Sequence, residues 1–201
     1  MLIIVLSIVL DSLTIDNRHK SDMYFRTNQV SKTNDSLIVW NSNYKLTWND
    51  FKGIADSLSN YKALTYSTIE INSIIIKEDL LEYEIKCSFE KHLSWSKNKQ
   101  SLSLLRHEQL HFDISELITR NLRKKFSAHI STDIQTTREI KKRLFNEAIE
   151  ERRLLNNRYD NETDHSIIIA KQKEWETKIA TELKKLDKYA STRVVLKRVK
   201  R

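Results

Sequence analysis

Between Leu81 and Glu90 apolar and polar residues alternate without a break. Leu81, Tyr83, Ile85, Cys87 and Phe89 share one side, and Glu82, Glu84, Lys86, Ser88 and Glu90 share the other. A period of two is that of a β-strand with one face buried and one face wet. With Ala63 to Ile76 it reads as a β-hairpin, joined through Lys77-Glu78-Asp79. Upstream, Leu37-Ile38-Val39-Trp40 and Tyr44-Lys45-Leu46-Thr47-Trp48 read as one or two short strands within Ser36 to Trp48. Gly53, the single glycine, marks a turn or a close backbone approach.

From Ser101 to Phe126 the period changes. Leu102, Leu105, Phe112, Leu117, Leu122 and Phe126 occupy helical positions, with no Gly or Pro between them. Apolar residues on both flanks of the segment's middle predict a helix buried on more than one side. Thr132 or Asp133 is placed to cap a second helix, running to about Asn157. Asn156 to Ser166 is the longest polar break. A final helix, from about Ile167 to Tyr189, carries Trp175, Ile179, Leu183 and Leu186 on one stripe. Strands first and helices second predict an α+β fold, an N-terminal antiparallel sheet followed by a helical part.

The 201 residues, 39% of them hydrophobic, suffice for one domain with a core. Trp40, Trp48 and Trp95 read as part of that core. A lone cysteine, Cys87, excludes an internal disulfide and a cysteine-based zinc cluster, and its place on the apolar side of the strand predicts burial. The net charge is +8. Arg193, Lys197, Arg198, Lys200 and Arg201 concentrate part of it in a stretch that reads as a solvated basic tail, suited to weak contact with anionic surfaces. No zinc knuckle, aromatic RNA-binding motif or helix-turn-helix pattern accompanies the charge, so nucleic acid is not an expected partner. Leu2 to Leu10 is an apolar run too short for a bilayer, which needs about 20 residues. It fits the hydrophobic part of a secretion signal, although no basic residue precedes it. Export to the periplasm or beyond is the expectation, with the cytoplasm as the alternative.

The helix from Ser101 contains Leu105-Arg106-His107-Glu108-Gln109-Leu110-His111-Phe112-Asp113-Ile114, and within it His-Glu-x-x-His. Residues four apart lie on one helix face, so His107 and His111 can offer two imidazoles to one metal ion. Glu108 is turned by about 100° from His107. That is the place of a general base beside a zinc ion, in the manner of the zincin helix. Zinc is thus the expected cofactor. A catalytic zinc takes three protein ligands. Glu116 lies about 160° from the histidine face and reads as solvated or as a partner of Arg120. Asp113 is off that face as well, and position 117, six residues past His111, is Leu rather than His. The third ligand is then His165, in the polar break, or one of Glu147, Glu150 and Glu151 on the preceding helix.

Leu46-Thr47-Trp48-Asn49-Asp50-Phe51-Lys52-Gly53, the His-Glu-x-x-His segment, Tyr159-Asp160-Asn161-Glu162-Thr163-Asp164-His165, Gln172 and Trp175 together carry a resemblance. From about Trp40 to Trp175 the chain resembles the small bacterial proteins grouped as domain-of-unknown-function family 922, described as predicted secreted zinc-dependent proteases. Members often have Gly after the last His, where this chain has Ser166. The resemblance implies that the His165 segment belongs to the site, and it favours His165 as the third ligand.

The chain then divides into a candidate signal segment, 1–20, a single metalloprotease-like domain, 21–190, and a basic tail, 191–201. The expected function is that of a zinc metallopeptidase acting on a peptide or protein substrate, with Glu108 as general base. Tyr159 is the candidate donor to an oxyanion, and Asp160 or Glu162 the candidate to orient a ligand imidazole. The alternative is a non-catalytic envelope or partner-binding protein with a structural or vestigial metal site.

Overall fold

The computed structural model describes residues 35–76, 80–131 and 133–198. The candidate signal segment 1–20 and the connection 77–79 lie outside the described residues. The fold is mixed α+β. Strands β1 (Leu37–Val39), β2 (Ala63–Leu64), β3 (Ser67–Ile76), β4 (Leu80–Glu90) and β5 (Trp95–Ser96) precede helix α1 (Leu102–Ser127). Strand β6 (Ile130–Ser131), helices α2 (Ile134–Thr163) and α3 (Ile169–Lys185), and strand β7 (Arg193–Arg198) follow.

The expected hairpin is present, and β4 is the spine of the sheet. β3 pairs antiparallel along one edge, from Ser67 opposite Phe89 to Ile76 opposite Leu81. β1 and β7 share the other edge in tandem: β1 lies against Ser88 to Glu90, and β7 against Leu80 to Glu84. β6 adds in parallel to β7. The alternation of β4 is realised, because Leu81, Tyr83, Ile85, Cys87 and Phe89 are all buried. Leu81, Tyr83 and Ile85 share a core with Ile118, Leu122 and Phe126 of α1 and Ile140 and Leu144 of α2. Phe89 and Cys87 join Trp48, Phe51 and Phe112 in a second core. Gly53 is a close approach: a Cβ there would lie 2.8 Å from the Ser94 carbonyl oxygen and 2.9 Å from that of His92.

Within the basic stretch 191–201, the described part is not a solvated tail, and 199–201 lie outside the described residues. Arg193–Arg198 is a strand of the sheet, with Val194 and Leu196 buried in the core and Leu196 fully so. A period-two pattern is embedded in the basic run, with Val194 and Leu196 inward and Arg193, Val195 and Lys197 outward and exposed.

α1 begins at Ser101, whose hydroxyl accepts a hydrogen bond from the Leu104 amide at 3.2 Å. Every residue from Phe112 to Arg120 is buried. Glu116 is therefore not solvated; it pairs inside the protein with Arg120 (3.0 Å) and Arg123 (2.8 Å). Arg123 also donates to the carbonyls of Ile85 on β4 and of Tyr189, and Arg120 to that of Leu183 on α3.

α2 overruns the expected stop at Asn157 and ends at Thr163. Its polar last turns stay helical because their side chains find local partners. Asn156 donates to the Arg152 carbonyl, Arg158 pairs with Glu162, and Thr163 donates to the Tyr159 carbonyl. Only at Asp164, in the left-handed region at φ 46°, does the helix end. α3 then buries Gln172, Trp175, Ile179 and Leu183 along one stripe against α1 and α2.

If β7 is integral to the core, Leu196→Ala costs about 2–5 kcal/mol of folding stability. Urea denaturation reads this directly, and an unchanged midpoint would return the segment to solvent.

Candidate metal centre

α1 turns His107 and His111 toward α2. Their Nε2 atoms are 3.2 Å apart. Each ring's other nitrogen meets a side-chain amide oxygen: His107 Nδ1 that of Gln172 at 3.2 Å, and His111 Nδ1 that of Asn156 at 2.6 Å. The amide orientations follow from their other ends. The Asn156 NH2 donates to the Arg152 carbonyl, and the Gln172 NH2 to Glu176. Both oxygens thus face the imidazoles and accept an N–H from Nδ1, which turns the two Nε2 atoms into one space, where they would offer their lone pairs to a bound ion.

Asp160 faces the same space. Its Oδ1 lies 3.1 Å from His107 Nε2 and 2.9 Å from His111 Nε2. His107, His111 and Asp160 are a group that could hold a metal ion. Two nitrogens and an oxygen bound to tetrahedral zinc at about 2.0–2.2 Å sit about 3.3–3.5 Å from one another. The observed edges of 2.9, 3.1 and 3.2 Å are close to that face, so the donor set fits the ion in chemistry and in spacing. Without an ion the cluster is held by charge. Burial alone would lower the His111 pKa, but the Asp160 carboxylate overrides it and raises the value to about 9. Burial works to raise the Asp160 carboxyl pKa, and the two imidazoles outweigh it, holding it well below the usual carboxylate range.

Glu108 is 3% exposed, and its Oε2 is buried with no hydrogen-bond partner among the described residues. Its backbone carbonyl accepts from the Thr65 hydroxyl at 3.1 Å. Its charge contributes to the raised His111 pKa.

Other expected site residues fall elsewhere. His165 is half-exposed, with Nδ1 3.9 Å from Asp160 Oδ1 and its ring against Tyr61. It is next to the donor group but outside it. The third residue of the group that could hold a metal is Asp160, which α2 brings there because it continues past Asn157 and carries Asn156, Tyr159, Asp160 and Thr163 on one face. Glu147, Glu150 and Glu151 lie on the outer side of α2, paired with Arg143 and Lys125, with Arg153, and with Lys125 respectively. Tyr159 is fully buried, stacks on the His107 ring at 4.5 Å and donates its hydroxyl to the Gln172 oxygen at 2.6 Å. That hydroxyl is committed inside the protein rather than turned toward an oxyanion. Glu162 accepts from the Trp175 indole and fastens α2 to α3, away from the imidazoles. The rings are oriented by Asn156, which the sequence reading passed over, and by Gln172, which it named only as part of the resemblance.

A groove of about 540 Å³ lies between α1, α3 and Trp40, lined by Arg106, Gln109 and Glu176 among others. None of the three donors lines it.

The fold and site define an α+β domain with a histidine, histidine and aspartate cluster that could hold a metal ion. Residues 26–166 match the family described as "Bacterial protein of unknown function (DUF922)", and the chain belongs to it. The match includes the donors and Asn156 but stops short of Gln172 and Trp175. No curated protein and no solved structure matches the chain.

Asp164, His165 and Ser166 all have positive φ, with Ser166 at 81°. Glycine adopts that conformation at least cost. Ser166→Gly is expected to raise stability by about 1 kcal/mol, read as a higher denaturation midpoint; a loss of stability would show that the turn carries no strain.

Proposed function

We propose that this protein is a zinc-dependent peptidase. The observation that carries the reading is the buried Glu108 oxygen, without a hydrogen bond among the described residues, on the residue next to His107 of a group that could hold a metal ion. A purely structural zinc is closed by four protein ligands, whereas a catalytic one keeps a position open. A buried carboxylate without a hydrogen bond is costly, and its retention beside a three-donor set fits a group kept free to take a proton.

In this reading His107, His111 and Asp160 hold the ion, which supplies Lewis acidity toward a water and a carbonyl oxygen. The rest falls to the chain. Asn156 and Gln172 hold the imidazole tautomers, and Tyr159 fixes the His107 ring by stacking. Glu108 Oε2 accepts the proton of the attacking water as the new C–O bond forms. It then returns that proton to the leaving nitrogen as the C–N bond breaks. The products are a carboxylate and an amine. The apolar run Leu2–Leu10 supports an exported enzyme acting outside the cytoplasm.

Elemental analysis of the purified protein tests the donors: about one zinc per chain is expected, lost in Asp160→Ala and kept in His165→Ala. The reverse pattern would restore His165 as the third ligand. For the chemistry, Glu108→Gln is expected to keep its zinc and lower hydrolysis of labelled casein at least about 100-fold. Undiminished turnover in that variant would remove Glu108 from the mechanism and favour a binding protein with a structural metal.

A further inference from the structure

The groove between α1 and α3 has a volume of about 540 Å³, within the range of pockets for small organic ligands. The most deeply buried charged side chain of its lining is Arg120, 4% exposed. Its Nε donates to Glu116, and its Nη1 to the Leu183 carbonyl and to Asp187. Its Nη2 makes no hydrogen bond among the described residues. A buried guanidinium with one donor unused, facing a groove, calls for an acceptor there.

The neighbouring carboxylates leave its charge unbalanced. Glu116 is shared between Arg120 and Arg123, so the buried cluster carries one positive charge in excess. Asp187 lies 3.4 Å from Arg120, but its side chain is 82% exposed, where solvent screens the pair. The rest of the lining adds to the surplus. Asp113 already accepts from the Trp40 indole and Gln109 and lies 3.9 Å from Lys45. Glu176 accepts from the Gln172 amide. Arg106 and Lys184 form no ion pair among the described residues. Four cationic side chains thus line the groove against three carboxylates. The walls between these charges are apolar, made by Leu110, Ala180, Leu183 and the Trp40 ring, whose centroid is 5.1 Å from the Arg120 guanidinium carbon.

We infer that this groove binds an organic acid, with its carboxylate on Arg120 Nη2 and its aromatic or aliphatic body against Trp40, Leu110 and Ala180. Arginine is suited to a carboxylate by its planar donors and its weak hydration. The anion is a carboxylate rather than a phosphate because the surplus is a single charge, the free buried donor is single, and apolar walls offer nothing to further oxygens. None of the metal donors lines the groove, so the inference stands apart from the peptidase reading.

Isothermal titration calorimetry on the full-length protein tests it, with phenylbutyrate and octanoate compared with their neutral amides. Each acid is expected to bind once per chain and at least about tenfold more tightly than its amide. Arg120 also holds the core cluster together, so the groove is blocked at an exposed position instead. Ala180→Phe, with its folding checked by circular dichroism, should abolish binding of both acids. No saturable binding of either acid by about 10 mM overturns the inference, as does equal binding of acid and amide. Binding that survives Ala180→Phe overturns it too, by placing the acid elsewhere. Inorganic phosphate that displaces the acids at equal concentration would show a site for charge alone, and would also overturn it.

Discussion

Burial of the middle of α1 on every side is the constraint on which the other elements depend. A helix covered all round from Phe112 to Arg120 cannot leave a polar side chain to water, so each must find its partner in the protein. Glu116, Arg120 and Arg123 answer this together, and their remaining donors reach carbonyls on β4, at the end of α3 and at Tyr189. Removing one member of such a buried cluster leaves an uncompensated charge, at a cost of about 3–5 kcal/mol. The same rule acts elsewhere on the helix. Asp113 receives the Trp40 indole and Gln109, Ser115 meets Ser67, and the two histidines meet Asp160 and two amides. Sheet, α2 and α3 are each fastened to α1 through one of its polar residues.

The candidate centre is therefore assembled from the covering rather than from one motif. α1 supplies two imidazoles and a carboxylate, α2 a third donor and an amide, and α3 a second amide. Tyr159 fills the space beneath the rings, and its hydroxyl shares the Gln172 oxygen with His107. Displacing either outer helix would release one ring from its tautomer as well as loosening the core. Fold stability and ligand geometry are in this sense one property of the α1 surface.

The parts legible in the sequence are those where burial imposes a simple period. β4 shows it because one face is dry and one wet, and α1 shows it through its flanking leucines and the His-Glu-x-x-His spacing. Cys87 and the tryptophans follow from the same logic. Asp160 is hidden because Asn156 to Thr163 is polar throughout and resembles a loop. Its helicity comes from side-chain bonds made along the helix and from packing on α3, which hydrophobic periodicity does not register. The spacing of Asn156, Tyr159 and Asp160 becomes informative only once the helix is known to continue. β7 is masked for a different reason, since its arginines and lysines dominate the composition while Val194 and Leu196 carry the strand.

The shared edge of β4 has a consequence for how the chain comes together during synthesis. The half of that edge near Leu80 is completed by residues roughly a hundred positions later, after all three helices. Until they emerge, the spine of the sheet presents open backbone groups and aliphatic side chains to its surroundings, the usual seed of misassembly between chains. The segment that must arrive last is itself heavily charged. Its arginines and lysines keep it from self-association while it waits, and Arg193 and Lys197 stay outward after Val194 and Leu196 dock. A run that looks like an idle basic appendage thus acts as a gatekeeper of the nascent sheet.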